Sequence, residues 1–315
     1  MRCLKSGIAL VLLVTGTSRI CGAQVKADES ITQKAERQFQ TAPLNTVPLG
    51  KGIFLFSGNG ANIVAITDDT TTVLVDSGIA SRVDELAVAL SHTTHRPVTC
   101  VINTTWHFDH TGGNTFFGSS GTVILAQENI AKELTSGRSV SFVGLRDGPY
   151  PSQALPTRTF KTNLALEQGL ERLDLVNYGS AHTDGDTVVY LTPANIAIVG
   201  DIFSNPYYPV IDLSAGGSLE GLISAVDQIL ARITPETKIV PGHGALATRA
   251  DLMAYRDMLA TVRDRVRTLI EAGKPMDQVV AAGPTRDFDG KWGGGYVSSA
   301  AFVQMAFSSL TVQRP

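Results

Sequence analysis

The sequence V-I-N-T-T-W-H-F-D-H-T-G-G-N, from Val101 to Asn114, joins an apolar run to a pair of glycines. The run from Val98 to Ile102 is typical of a buried strand, and the glycines predict that the strand ends in a turn. Between them lie His107, Asp109 and His110, three side chains that bind divalent metals. The stretch therefore predicts a metal site where a buried strand enters a turn.

The side chains of this motif are expected to divide between two directions. In extended chain, alternate residues point to the same face, so His107 and Asp109 would share a face and His110 would point aside. By the same rule Thr105 would lie on the face of His107 and Asp109. We interpret the motif as ligands for two metal positions, rather than as polar residues that cap a strand end.

The composition of the 315-residue chain describes an ordinary globular protein, with 43% hydrophobic and 17% charged residues. This length is sufficient to bury a large core. The formal net charge is −3, and no run of Lys or Arg indicates a nucleic-acid surface. We therefore expect a small-molecule substrate and no nucleic-acid partner. The sequence does not set an oligomeric state.

Residues 1–23 have the pattern of a secretory signal peptide. Arg2 and Lys5 form a positive region, an apolar stretch from Gly7 to Thr15 follows, and Cys21-Gly22-Ala23 resembles a cleavage site. The apolar stretch is shorter than the roughly 20 residues that a membrane span needs. We expect cleavage after Ala23 and a periplasmic or secreted protein with no membrane attachment.

The remaining chain is expected to form an exposed lead-in (24–49) and one domain with a C-terminal helical extension (50–315). Periodicity and turn residues predict strands at 53–56, 61–67, 71–75, 98–102, 122–126, 188–191 and 196–199, a hairpin at 164–175, and a strand from 238. They predict helices at about 81–90, 128–134, 218–233 and 252–269. Three segments are candidates to line a pocket: Ser136–Thr157, Tyr207–Tyr208 and Trp292–Tyr296.

Four of the six His residues sit where a predicted strand meets a turn that contains Gly: His107, His110, His182 and His243. Asp109 and Asp201 are placed in the same way. Any one of these residues alone is more often a turn or core residue, but six at equivalent positions indicate a metal centre. Asp184 and Asp186 are interpreted as turn residues because Gly185 separates them.

The order of these motifs resembles the metallo-β-lactamase superfamily. That family's pattern is H-x-H-x-D-H, a His before a Gly-Asp turn, Gly-Asp, and Gly-His-Gly. The corresponding stretches here are T-W-H-F-D-H, A-H-T-D-G-D, V-G-D and P-G-H-G, and Asp76-Ser77-Gly78 resembles the family's early D-x-G turn. The resemblance covers about Phe54 to Ala247. It implies an α/β fold, a four-layer αββα sandwich with the metal site at the edge between the two β-sheets.

The resemblance also implies how the ligands divide between two zinc positions. The first position would have His107 and His182, the second would have Asp109, His110 and His243, and Asp201 would bridge them. Thr105 replaces the family's first His, and a hydroxyl is a poorer ligand for zinc than imidazole. We therefore expect one or two zinc ions per chain, with the second position favoured.

The implied activity is hydrolysis by a metal-activated water that attacks a carboxyl ester, lactone, thioester or amide. With a single metal, Asp109 would orient or deprotonate the water and Thr105 would help to hold it. One alternative is a true β-lactamase, which is less favoured because Asp201 and Ser204 replace the Cys and Lys of the Cys-containing β-lactamases. The other alternative is a degenerate member that binds metal or a small ligand without turnover.

The substitution Thr105→His tests the expected weakness of the first position. It would restore a third imidazole, so zinc content measured on purified protein should rise from about one toward about two ions per chain. Hydrolysis should rise with it if the native mechanism uses two metals, and stay level or fall if it uses one. Unchanged zinc stoichiometry would contradict the prediction.

Overall fold

Apolar strands from two parts of the chain form two β-sheets that pack face to face. The structure is a computed structural model, and it describes residues 30–140, 145–147 and 149–311. The seven-stranded sheet contains, in spatial order, β1 (Asn45–Gly50), β2 (Ile53–Asn59), β3 (Ala61–Thr67), β4 (Thr72–Val75), β5 (Val98–Ile102), β6 (Val123–Gln127) and β9 (Arg158–Phe160). The five-stranded sheet contains β10 (Asn163–Gln168), β11 (Glu171–Asn177), β12 (Thr187–Thr192), β13 (Ile196–Asn205) and β14 (Lys238–Gly244). A separate hairpin consists of β7 (Arg138–Val140) and β8 (Leu145–Asp147).

Each sheet combines antiparallel and parallel pairs. Strands β1 to β4 form an antiparallel meander, and β4, β5, β6 and β9 run parallel. Strands β10 to β13 are antiparallel, and β14 joins β13 in parallel. Because parallel strands cannot be joined by a tight hairpin, each of the parallel pairs is connected by a crossover.

Ten α-helices occur in the described residues. They are α1 (Ile31–Thr41), α2 (Val83–Thr94), α3 (Phe108–Thr111), α4 (Asn114–Ser119), α5 (Glu128–Ser136), α6 (Leu219–Arg232), α7 (Arg249–Glu271), α8 (Met276–Ala282), α9 (Asp289–Trp292) and α10 (Ser299–Thr311). Helix α6 begins at Ser218, whose hydroxyl accepts a hydrogen bond from Gly221 N. Helix α7 begins with a capping box between Thr248 and Asp251.

Three apolar layers hold the sandwich together. Between the sheets, side chains such as Val64 and Ile102 of the first pack with Leu175 and Ile198 of the second. Helices α2 and α4 cover the outer face of the first sheet. Helices α6, α7 and α10 cover the outer face of the second sheet. The layers therefore follow the order helix, sheet, sheet, helix, and the predicted αββα sandwich is confirmed.

The lead-in expected at 24–49 is not an exposed coil over its described part. Residues 31–41 form α1, with a capping box between Ser30 and Gln33, and Ala35 and Phe39 are buried. Strand β1 then pairs with β2 at the edge of the first sheet. Helix α1 is hard to predict from sequence because its apolar face is narrow and its burial depends on partners distant in the chain.

The predicted signal peptide and residues 24–29 lie outside the described residues. Within the described ranges, no helix has the length and apolar character needed to cross a membrane.

Candidate metal centre

The predicted ligands converge at one edge of the sandwich. His107 precedes α3, just beyond the end of β5, and His182 lies in the loop between β11 and β12. Asp201 and His243 lie on the neighbouring parallel strands β13 and β14. The β13–β14 register is irregular around Gly200, which has a φ of +53°. This irregularity is local to Asp201, the residue that the resemblance places between the two metals.

The motif after β5 is helical where we expected extended chain. Residues Phe108–Thr111 form one helical turn, in which the backbone N–H groups of His110 and Thr111 donate to His107 O. The prediction that His107 and Asp109 share a face while His110 points aside is therefore wrong. The helical turn instead places Asp109 and His110 in one group and His107 in another.

Two groups of potential ligands result. The atoms of each group lie within 4.8 Å of one another: His107, His182 and Asp201 in the first, and Asp109, His110 and His243 in the second. Asp201 also reaches the second group, because its Oδ1 lies 3.2 Å from His110 Nε2 and 3.4 Å from His243 Nε2. Its Oδ2 lies 3.7 Å from His182 Nε2. The side chains are thus grouped as the resemblance implied, and their binding of metal stays a prediction.

The donor atoms of the centre fit a metal cation. Among the described residues, the Nε2 atoms of His110, His182 and His243 and the Oδ1 atom of Asp201 are buried without a hydrogen-bond partner. A buried polar atom without a partner costs about 1–3 kcal/mol. One cation in each group would use several of these atoms at once, and imidazole with carboxylate is a donor set that suits zinc.

Thr105 is fully buried, and its Oγ1 has no hydrogen-bond partner among the described atoms. It lies after the end of β5, so the argument that it shares a strand face with the ligands does not hold. Buried hydroxyls without a partner are uncommon. Its role in holding water near the first group stays a prediction.

Three carboxylates each contact the imidazole of one of the histidines. The pairs are His110 Nδ1 with Asp76 at 2.8 Å, His182 Nδ1 with Asp186 at 3.2 Å, and His107 Nε2 with Asp212 at 3.2 Å. Each carboxylate also accepts hydrogen bonds from both the backbone N–H and the hydroxyl of a single residue: Thr104, Thr183 and Ser214 respectively. Such outer partners fix the orientation of a ligating imidazole.

The sequence indicated only some of these three carboxylates. Asp76 was noted as part of a family turn, and it adopts a positive φ of 65°, which is uncommon for a residue other than glycine. Asp186 is more than the turn residue we expected, because it contacts His182 four positions earlier. Asp212 was missed, because its partner His107 is far away in sequence and no local pattern connects them.

The charges of the centre shift its pKa values strongly. Burial lowers the pKa of His182, but the neighbouring carboxylates, chiefly Asp186, outweigh it and raise the pKa to about 9. Burial likewise lowers the pKa of His110, and Asp201 and Asp76 reverse the effect and raise it. Burial raises the pKa of Asp201, and the charges of His110 and His243 lower it well below its usual value. In the metal-free centre the protonated forms of His110 and His182 are therefore favoured.

A cavity of about 30 Å³ adjoins these ligands. It is lined by α1 and by Phe108 and Tyr296, so the last of the three predicted lining segments does reach the centre. Trp292 and Tyr208 are buried in the core beneath the second sheet's helices. Pro149 and Tyr150, from the first predicted segment, line a separate cleft of about 290 Å³ that Phe108 also lines.

Zinc affinity should increase with pH. Because zinc must displace the proton of His182, whose pKa is about 9, affinity at the first group should rise about tenfold per pH unit up to about pH 9. Competition with a chromophoric chelator across this range measures the slope. An affinity independent of pH would show that His182 is neutral in the metal-free protein.

The substitution Asp212→Asn should weaken zinc binding at the first group about 10- to 100-fold, because outer partners of ligating histidines have effects of this size. Zinc titration monitored by a competing chelator measures the loss. Asp227→Asn is a matched control, since Asp227 is an exposed partner of Arg256. Equal affinity in Asp212→Asn and the control would contradict an orienting role for Asp212.

Comparisons with known proteins agree with this geometry. The family model described as "Metallo-beta-lactamase superfamily" matches residues 57–243, more than half of the chain. A metallo-β-lactamase from Pontibacter korlensis superposes with a TM-score of 0.58 at 19% identity, covering 69% of this chain and 99% of that one. The inverting sec-alkylsulfatase Pisa1 from Pseudomonas sp. gives 0.64 at 16% identity, covering 88% and 52%.

A curated protein with similar sequence is the 2,4-dinitroanisole O-demethylase subunit alpha of a Nocardioides strain, 27% identical over 173 residues. The match covers 53% of this chain and 49% of the relative, so the chain spans about half the length of that protein. The structural neighbours share the fold at low identity, and the family model covers the predicted ligand motifs from His107 to His243. The chain belongs to the metallo-β-lactamase superfamily.

Proposed function

We propose that this chain is an exported zinc-dependent hydrolase that uses a metal-activated water to cleave a carboxyl ester, lactone, thioester or amide. The observation that carries the proposal is the set of three buried imidazole nitrogens, on His110, His182 and His243, that lack hydrogen-bond partners and surround Asp201. A merely structural histidine would be expected to have both nitrogens paired. The signal-peptide pattern of residues 1–23 supports export to the periplasm or beyond.

Different residues of the centre would hold the zinc ions and orient their ligands. His107, His182 and Asp201 would hold one zinc ion, and Asp109, His110 and His243 would hold another. Bound zinc lowers the pKa of water to roughly 7 and polarises a carbonyl group. The three outer carboxylates keep the imidazoles in place, so the centre is organised before substrate arrives.

Two further side chains could move or hold protons. Burial raises the pKa of Asp109, but the nearby imidazoles of His243, whose Nε2 lies 3.1 Å from Asp109 Oδ2, and of His110 outweigh this and keep the pKa below its usual value. Asp109 is therefore a carboxylate at neutral pH, able to orient water or accept its proton. Burial and the charges of Asp201 and Asp109 raise the pKa of Tyr296 well above its usual value. Its protonated hydroxyl can therefore donate to a substrate oxygen near the mouth of the cavity.

A second candidate reaction is hydrolysis of an activated aryl ether. The curated relative is named for O-demethylation of 2,4-dinitroanisole, an aromatic methyl ether. The aromatic side chains Phe39, Phe108 and Tyr296 beside the centre favour this candidate. Both reactions would use the same activated water, so one panel of substrates separates them.

Metal analysis and a substrate panel test the proposal. We expect the purified protein to contain zinc, and His243→Ala to remove most of it while His182→Ala removes less, because Thr105 weakens the first position. The exposed His92→Ala is the control and should retain zinc. The panel contains esters, lactones, thioesters, amides, β-lactams and 2,4-dinitroanisole.

Hydrolysis of any ester, lactone, thioester or amide by the zinc-loaded protein, lost in His243→Ala, would support the main proposal. Turnover of 2,4-dinitroanisole alone would favour the second candidate, and turnover of β-lactams alone would identify a β-lactamase. Tight zinc binding without turnover of the whole panel would contradict a hydrolase.

A further inference from the structure

Helix α1 covers the candidate metal centre and places one aromatic ring against a predicted ligand. The ring of Phe39 is nearly parallel to the imidazole of His243, with an interplanar angle of 6° and a centroid separation of 5.5 Å. Tyr296 meets both rings edge-on, 6.0 Å from Phe39 and 5.6 Å from His243. Phe108 lies 6.5 Å from Phe39 in a tilted arrangement. We call the space that the Phe39 ring fills among these three side chains the aryl slot.

The free space beside the ligands is too small for any substrate considered above. The cavity lined by Ile31, Thr32 and Ala35 of α1 and by the ligands Asp109 and Asp201 has a volume of about 30 Å³. Pockets for small organic ligands usually measure about 300–1,000 Å³. Part of the cover must therefore move before a substrate can bind.

The ring of Phe39 is the part of the cover that lies against the ligand His243. Only two side chains of α1, Ala35 and Phe39, are buried, and Phe39 is the larger. The backbone at the end of the helix is held by Arg82, whose Nη1 donates to Phe39 O at 2.7 Å and to Ala42 O at 2.8 Å. A movement of the Phe39 ring would open the aryl slot beside His243 while these backbone contacts remain.

We propose that the aryl slot is the binding place of a planar aromatic group of the substrate, and that Phe39 is a specificity-determining residue. An incoming aryl group would displace the Phe39 ring and replace its contacts with His243, Tyr296 and Phe108 one for one. An alkyl group would displace the ring without restoring these contacts, so it would bind less well. This inference rests on the proposed function, since it assigns the substrate class of the same metal centre.

The test uses cobalt(II)-loaded protein and two thiols, benzyl mercaptan and ethyl mercaptan. Each thiol binds a metal as its thiolate, and the thiolate-to-cobalt absorption reports the dissociation constant without any turnover. Phe39→Ala empties the aryl slot. We expect it to tighten binding of benzyl mercaptan at least tenfold and binding of ethyl mercaptan less than threefold.

Two further variants complete the design. Phe116→Ala is the matched control, because Phe116 is a Phe on α4 that is 40% exposed, and both affinities should stay at their wild-type values. Phe39→Leu keeps an apolar side chain on α1, and serves if Phe39→Ala does not fold. It should still improve benzyl mercaptan at least threefold more than ethyl mercaptan.

Equal gains for the two thiols would overturn the proposal, since Phe39 would then only restrict access. No gain in affinity for either thiol would also overturn the proposal, because a group bound to the metal would then not reach the aryl slot. Failure of the proposed function is distinguishable: zinc-loaded wild-type protein would then turn over no substrate in the panel, whatever the thiol affinities are.

Discussion

The buried negative charge of Asp201, at one edge of the sandwich, constrains the strands and loops around it. Asp201 is only 8% exposed, and a carboxylate in such a place is costly unless positive charge lies beside it. The imidazoles of His110 and His182 lie beside it, and their raised pKa values allow them to supply that charge as protons. A metal cation would supply the same charge in their place, so the constraint that stabilises the metal-free centre also prepares it for metal.

The close approach of β14 to Asp201 follows from this constraint. A side chain at Gly242 would place its Cβ 2.1 Å from Asp201 Oδ1, so the residue before His243 must be glycine for the two strands to meet. The carboxylates of Asp76, Asp186 and Asp212 also constrain the centre. Asp76, Asp186 and Asp212 each join a histidine to a threonine or serine in a loop, so the loops hold the ligands in one orientation.

Helix α1, which covers the centre, is held by a different kind of contact. The ligands are held by charge and by hydrogen bonds, whereas α1 lies on them through the apolar side chains of Ala35 and Phe39. Apolar contacts are less directional than a hydrogen-bonded network, and an aromatic ligand can replace them with contacts of the same kind. The structure thus combines candidate ligands that are held by hydrogen bonds with a covering helix that is held by apolar contacts.

Strand periodicity is consistent with the αββα fold but does not establish it. The sequence predicted that fold and the six candidate ligands through the family resemblance that its local His, Asp and glycine motifs carry. It also placed the helices that begin at Ser218 and near Leu252. It did not determine the direction of side chains after β5, since extended chain was assumed where Phe108–Thr111 forms a helical turn. Only the tertiary structure brought Asp212 to His107 and Phe39 to His243. These contacts join residues more than 100 positions apart, and no local sequence pattern indicates which distant side chain will fill a given space.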